Sequence, residues 1–310
     1  MNAHVIGLGE VGRLGELLGQ GGQAKVHRAP DVTLPDVPGP LVYKEYKPGH
    51  APPHGLGKVV TRRLRLDPAT RERLDRSAAW PVRVVEHGGA VCGVLMPLIP
   101  DSYFEERVLP SGTPTRTLRE VQHLFIDPAR ANRLGMPALT AKQRLRVCRD
   151  LAGVMDLLHR NDLVIGDVNA KNAVFRLTGD PLVMLVDCDA IRVKGEMAVV
   201  RQLNAPDWQP PEDTLSQATD LYKLGLFVLR CLSPGAMASL ARDPSRAYAA
   251  LPGEGRELLR DAVHTAPGRR TTAAAWVRYF DGQLTGAGSC GTTTAGWKRD
   301  PVTRRWVPVS

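Results

Sequence analysis

Asp167-Val168-Asn169-Ala170-Lys171-Asn172 sets an amide five positions after a carboxylate, and Asp187-Cys188-Asp189 follows at the end of an apolar run, fifteen residues past Asn172. These residue types, in this order, suit phosphoryl transfer from a metal-bound nucleotide. One carboxylate, Asp167, orients an attacking hydroxyl, while the amide oxygen of Asn172 and the carboxylate of Asp187 hold a magnesium ion. Asp189 would add a further carboxylate near the metal. Strand-end acids brought side by side by a hairpin make a compact metal site; a hairpin with polar ends is the plainer alternative.

Such chemistry needs a phosphate-binding end. Leu18-Gly19-Gln20-Gly21-Gly22-Gln23-Ala24-Lys25-Val26 is a candidate. Glycines let a hairpin turn lie against phosphates without Cβ clashes, with backbone N–H groups as anion ligands. No Gly-Lys-Ser/Thr follows, so this is not a Walker-type loop. The next element reads as a strand rather than a helix, so it is not a dinucleotide fingerprint. Lys44 lies in the apolar stretch Leu41-Val42-Tyr43-Lys44. A lysine pointing inward from such a strand needs an anion. Glu72 on the following helix is the candidate partner, with Asp67 and Asp75 as alternatives and a solvated face as the plain reading.

The elements that must hold these residues are legible from patterning. Arg13 to Leu18 and Lys25 to Ala29 read as a hairpin around the glycines. Leu41 to Tyr46, Val82 to Glu86 and Val91 to Leu98 read as strands. Leu56 to Leu66 and Pro68 to Trp80 read as helices, with Asp67-Pro68 as cap and first-turn break. Asp101 to Leu139 is polar and irregular, and reads as an insertion or functional loop. Thr140 to His159 is amphipathic, with Leu145, Cys148, Leu151, Ala152, Met155 and Leu158 on one face and Thr140 as N-cap. Ala173 to Leu177, Leu182 to Val186 and Ala190 to Val193 read as short strands. Asp220 to Leu232, Pro252 to Ala266 and Thr271 to Leu284 read as helices. The segment Trp297 to Trp306 suggests a hairpin turning at Asp300-Pro301.

Together these residues resemble the protein kinase superfamily over about residues 13 to 283. Gly19, Gly21, Gly22, Ala24 and Val26 resemble its glycine loop, and Lys44 the strand lysine that grips the α- and β-phosphates. Asp167 and Asn172 resemble the catalytic loop, and Asp187 the metal-binding aspartate. Pro210-Pro211-Glu212 resembles the end of the activation segment, Asp220 the buried aspartate of the next helix, and Arg270 the late arginine that pairs with that glutamate. The Gly-Asp-x-Asn-x-x-Asn and Asp-x-Asp motifs are similar to those of an atypical bacterial group often encoded beside von Willebrand-type and phosphatase partners. The resemblance implies an α+β, bilobal fold. An antiparallel-sheet N-lobe would span 1–99 and a mainly helical C-lobe 100–284, with the irregular insertion 101–139 and a Gly/Thr-rich tail 285–310. It implies ATP and Mg2+ as cofactors, with Mn2+ as a substitute. Met96 and Leu98 would line the adenine pocket, and Asp101 would accept from the ribose hydroxyls.

The departures are as informative. Ile165-Gly166 replaces His-Arg, which removes the usual partner of an activation-loop phosphate. Asn169 stands where protein kinases carry a lysine, so the transfer rate falls unless Lys171 reaches in. Cys188-Asp189 replaces Phe-Gly, which argues against a glycine-dependent flip of that segment.

Three activities fit these residues. One is transfer to Ser/Thr hydroxyls of a protein, favoured by Pro210 to Asp220. Another is a nucleotide-binding pseudokinase acting as a signalling scaffold. The third is a small-molecule kinase similar to the aminoglycoside phosphotransferases. The chain of 310 residues carries a formal charge of +9 and 43% hydrophobic residues, enough for a sizeable core. The charge suits an acidic protein substrate or signalling partner, and the lack of basic runs interleaved with aromatics argues against nucleic acid. Five scattered cysteines without Cys-x-x-Cys spacing fit a reducing cytoplasm. Met1 to Gly12 lacks the pattern of a secretion signal, and no apolar stretch is long enough to span a bilayer.

Overall fold

The run Leu41–Tyr46 gives the structure its central strand, paired on both sides. In the computed structural model, which describes residues 4–52, 55–108, 111–195 and 205–286 and the backbone of 297–299 and 306–308, the elements run as follows. Strands β1 (Val5–Gly7), β2 (Leu17–Gln20), β3 (Ala24–Arg28) and β4 (Leu41–Tyr46) come first. Helices α1 (Leu56–Leu64) and α2 (Pro68–Ser77) precede strands β5 (Arg83–His87) and β6 (Ala90–Pro97). A hairpin of β7 (Phe104–Val108) and β8 (Pro114–Leu118) leads to α3 (Pro128–Arg133) and α4 (Ala141–Arg160). Short strands β9 (Leu163–Val164), β10 (Ala173–Phe175), β11 (Val183–Leu185) and β12 (Arg192–Val193) follow. Helices α5 (Gln217–Leu232), α6 (Glu254–Ala262) and α7 (Ala273–Gly286) come next, then β13 (Trp297–Arg299) and β14 (Trp306–Pro308). The described residues are thus mixed α+β, with seven α-helices and a six-stranded, mostly antiparallel sheet. None of these helices is long and apolar enough to cross a membrane.

The chain divides into two compact units: 1–100 with 158–167 and 185–202, and the remainder. In the first, the sheet order is β1-β5-β6-β4-β3-β2, and only the β1–β5 pairing is parallel. The sequence reading gave five strands because it passed over Val5–Gly7. This three-residue strand pairs Val5 with Val84 and Ile6 with Val85. Strand β4 separates two clusters by its period of two. Leu41 and Tyr43 join Val11, Val37, Val82, Val85 and Leu95. Val42 and Tyr46 join Ala24, Leu56, Val60, Val84, Val94 and Met96. Each fully buried Val or Leu contributes about 1.5–3 kcal/mol relative to exposure.

Helices α1 and α2 are fixed by charge as well as packing. The Asp67 carboxylate caps α2 by accepting from the Thr70 N–H at 3.0 Å, and Arg71 caps α1 by donating to the carbonyls of Leu64 and Leu66. Arg63, fully buried, donates to both oxygens of Asp75 at 2.7 Å and to Asp36 at 2.7 Å. Arg83 on β5 also donates to Asp36, at 2.5 Å. Burial alone would raise the Asp36 carboxyl, but Arg83 and Arg63 together hold it down at about 2.

In the second unit, a capping box starts α4: Thr140 Oγ1 accepts from the Gln143 N–H at 3.2 Å, and Gln143 Oε1 accepts from the Thr140 N–H at 2.9 Å. Buried Arg144 on α4 donates to the carbonyls of Leu124 and Cys231, at 2.6 and 2.7 Å. The stretch 101–139, read as irregular, is largely structured. It holds the β7–β8 hairpin, with Phe104 opposite Leu118, a 3-10 turn over Val121–Phe125, and α3. The pattern misled because β7 buries a charge. Glu105 is buried beside Arg107, Arg119 and His123, so the inward face carries a charged residue. At the tail, β13 and β14 pair antiparallel, Trp297 with Pro308, and the expected turn at Asp300-Pro301 lies outside the described residues.

Two consequences are measurable. Arg63→Met leaves Asp36 and Asp75 without their shared guanidinium, so it should lower the unfolding free energy by about 3 kcal/mol in a urea titration. Because the folded pKa of Asp36 is depressed, its contribution is present above about pH 4 and is lost as the pH falls toward about 2. Acid denaturation of Asp36→Asn should therefore have a shallower slope over that window than that of the native chain. At Gly93 on β6, an added Cβ would run into the Tyr43 ring and the Lys44 carbonyl oxygen. Gly93→Ala should thus destabilise by about 1–3 kcal/mol through overpacking against backbone, read as a drop in melting temperature.

Candidate functional site

Lys44 sits in mid-sheet, opposite Val26 on β3 and Val94 on β6. Its side chain shares the face of Val42 and Tyr46 and is only 12% exposed. An ammonium in that position requires anions, and the structure supplies two. Lys44 Nζ donates to Asp187 Oδ1 and, at 2.8 Å, to Asp189 Oδ1. Tyr46, two residues along the same strand, donates its hydroxyl to Asp189 Oδ2 at 2.5 Å. Burial alone would lower the Lys44 ammonium, but the carboxylates of Asp189 and Asp187 hold it above the usual lysine range. Burial and the Asp189 carboxylate push the Tyr46 phenol up, so that group stays a donor.

The two acids differ. Asp189 is 7% exposed and Asp187 keeps 52% of its side-chain surface. Lys44 and Tyr46 outweigh burial and keep Asp189 low. Asp187 takes up a left-handed backbone conformation, φ 60° and ψ 40°. Aspartate tolerates that region better than most residues, and such outliers concentrate at functional sites.

The segment carrying the acids is tied down on both sides within the first unit. The Leu185 carbonyl accepts from the Ala79 N–H at 2.8 Å, just past α2. Further on, β12 pairs with β9, Arg192 with Val164 and Val193 with Leu163. Strand β9 leads directly into Ile165, Gly166 and half-buried Asp167. Gly166 has φ 74°, a conformation that a side chain strains. Glycine at position 166 thus coincides with a backbone that asks for it.

Asn172 belongs to the second unit and is half-buried. Asn169 Oδ1 accepts from the backbone N–H groups of Lys171, at 2.8 Å, and Asn172, at 3.2 Å. The sequence reading saw only a lost lysine here. The side chain braces the loop as an Asx turn, which the spacing Asn-x-x-Asn could have suggested.

The remaining candidates separate. Met96 is buried in the cluster with Ala24 and Val42, and Val26 and Leu98 pack against it. Glycines 19, 21 and 22 lie on the exposed β2–β3 hairpin, where an added Cβ at any of them would meet nothing within 4 Å. Their packing therefore does not itself require glycine. Glu72 is corrected: it is exposed on α2 and faces Arg76 at 3.9 Å, while Asp75 is taken by Arg63 and Asp67 by its cap. The partners of Lys44 are Asp187 and Asp189. Asp101 is exposed and accepts from Arg116 at 2.6 Å. In the second unit Arg270 forks onto both oxygens of Glu212 and donates to the Ala218 carbonyl at 2.8 Å, and Asp220 is fully buried on α5.

Among the described residues, no three His, Cys, Asp or Glu side chains gather as a metal-binding group. In the first unit Asp187 offers a hard carboxylate oxygen of the kind that magnesium shares with phosphates and water, so the donor type fits. Compared with known proteins, the chain matches no family model and no curated protein.

Proposed function

We propose that this chain is an ATP- and magnesium-dependent phosphotransferase with a bilobal, kinase-like fold, acting on Ser/Thr hydroxyls of a protein. One observation carries the reading. A lysine in the middle of a sheet and an aspartate 143 residues later, each picked out separately in the sequence, form an ion pair. Lysine and carboxylate in contact place a phosphate-binding cation beside a metal-binding anion, the pair that phosphoryl transfer uses.

The other residues take roles consistent with it. The glycines of the β2–β3 hairpin, which packing does not explain, allow phosphates to approach backbone N–H groups. Val26 and Leu98, half-buried against the cluster that holds Ala24 and Met96, are the apolar residues that would meet a purine. Asp167 orients the acceptor hydroxyl and receives its proton. Asp187, with its exposed carboxylate, would hold magnesium, which when bound would neutralise charge on the phosphates, and Asn172 is the further oxygen donor that the sequence offers. Asn169 keeps the loop shape that sets Asn172. Glu212, Asp220 and Arg270 serve as scaffold.

The test is transfer of radiolabelled phosphate from ATP to the chain itself or a generic protein, with site mapping by mass spectrometry. Asp167→Ala should cut the rate by about 100-fold or more, the scale of lost acid–base assistance. Asp187→Ala should abolish magnesium-dependent transfer. Thermal shift with ATP and magnesium should show stabilisation that Lys44→Met weakens. Binding without transfer would favour the scaffold reading, and transfer only to small hydroxyl compounds the small-molecule one. Neither binding nor transfer would sink the proposal.

A further inference from the structure

We infer that Asp189, fixed by the Tyr46 hydroxyl, is the residue that positions Lys44, a task expected of an acid on the helices after the lysine strand. For its effect on turnover this rests on the phosphotransferase reading; the contact itself does not.

Four observations converge. Helix α1, Leu56–Leu64, contains no acid, and on α2 Glu72 is solvent-facing and Asp75 is bound to Arg63. No helix-borne carboxylate in this unit is therefore available to Lys44 from α1 or α2. Asp189 has both oxygens engaged, one by Lys44 and one by Tyr46, and its side chain is 7% exposed. A carboxylate whose two oxygens both accept from buried donors is committed to holding a cation in place, and so is not the second metal ligand that Asp-x-Asp suggested. Lys44 and Tyr46 stand two residues apart on one strand face. The strand thereby fixes both ends of a Lys44–Asp189–Tyr46 chain of hydrogen bonds. Finally, Asp187 is half open and Asp189 is enclosed, so the two acids divide the work: Asp187 can turn to another cation while Asp189 keeps Lys44 in place.

This arrangement couples the lysine to segment 187–190 instead of to an acid on α1 or α2. Asp189 and Tyr46 act through Lys44 and are positioning residues.

Tyr46→Phe and Asp189→Asn keep size and shape, and circular dichroism melting checks that both fold. In steady-state transfer assays, kcat should fall about 10-fold for Tyr46→Phe and further for Asp189→Asn, the scale of one hydrogen bond to a charged group. KM for ATP should change less than about 3-fold, and half-saturation by magnesium should be unchanged, since the lost contact lies on the lysine and not on the metal. A rise in the magnesium requirement for Asp189→Asn, with Tyr46→Phe like the native chain, would overturn the inference in favour of a metal ligand.

A second measurement does not depend on turnover. Limited labelling of the full chain with an amine-acetylating reagent, read by peptide mass spectrometry, compares Lys44 with exposed Lys142. Lys44 labelling should rise several-fold in both variants, and no rise in either would overturn the anchor. Raised labelling in a chain that never transfers phosphate would uphold the anchor and defeat the phosphotransferase reading.

Discussion

A buried ammonium must be neutralised where it stands, and in this chain that requirement organises the first unit. Lys44 stands in mid-sheet on the face of Val42, Val94 and Met96, with only 12% of its side chain exposed. Leaving it unpaired would cost several kcal/mol. The carboxylates that meet it come from a segment far away in sequence. That segment therefore has to be delivered accurately, through Leu185 beside Ala79 on one side and β12 beside β9 on the other. The left-handed turn at Asp187 is what lets two acids only two residues apart reach the same ammonium from different directions.

The same logic appears in the frame around the site. Arg63 is fully enclosed and satisfied by Asp36 and Asp75, and Asp36 is shared with Arg83. The buried polar residue of α1 is thus a cation, paired with Asp75 of α2 and with Asp36. With α1 committed in this way, the lysine draws its anion from elsewhere. Charge placement in α1 and α2 and charge placement at Lys44 are one problem solved together.

Much of this was legible in the residues. Strand β4 was readable to the residue because Leu41, Val42, Tyr43 and Tyr46 are strand-favouring types in one short run, and α4 because Thr140 announces its start. Lys44 and Asp187, which the structure brings into contact, stood out by type and order. What was not legible depended on partners distant in sequence. Glu72 looked suitable only because it is an acid on the right helix; which way it faces depends on Arg76 and on the packing of Leu74. Asp189 looked like a metal ligand because a sequence cannot show Tyr46 lying beside it. The β7–β8 hairpin was hidden because Glu105 occupies a buried position, defeating any reading based on hydrophobic period. Strand β1 is too short to carry a period at all.

The span of these contacts along the chain has a consequence for assembly. The Arg63 contacts to Asp75 and Asp36 close loops of 12 and 27 residues, and that of Arg83 to Asp36 closes 47. The Lys44–Asp187 pair closes 143. Loop closure entropy grows with the logarithm of length, so the long closure costs about 1.5 kcal/mol more than the 27-residue one. Local contacts recover their cost early and distant ones late. The arginine frame is therefore the cheaper closure, and the pairing of Lys44 with its carboxylates the costlier one.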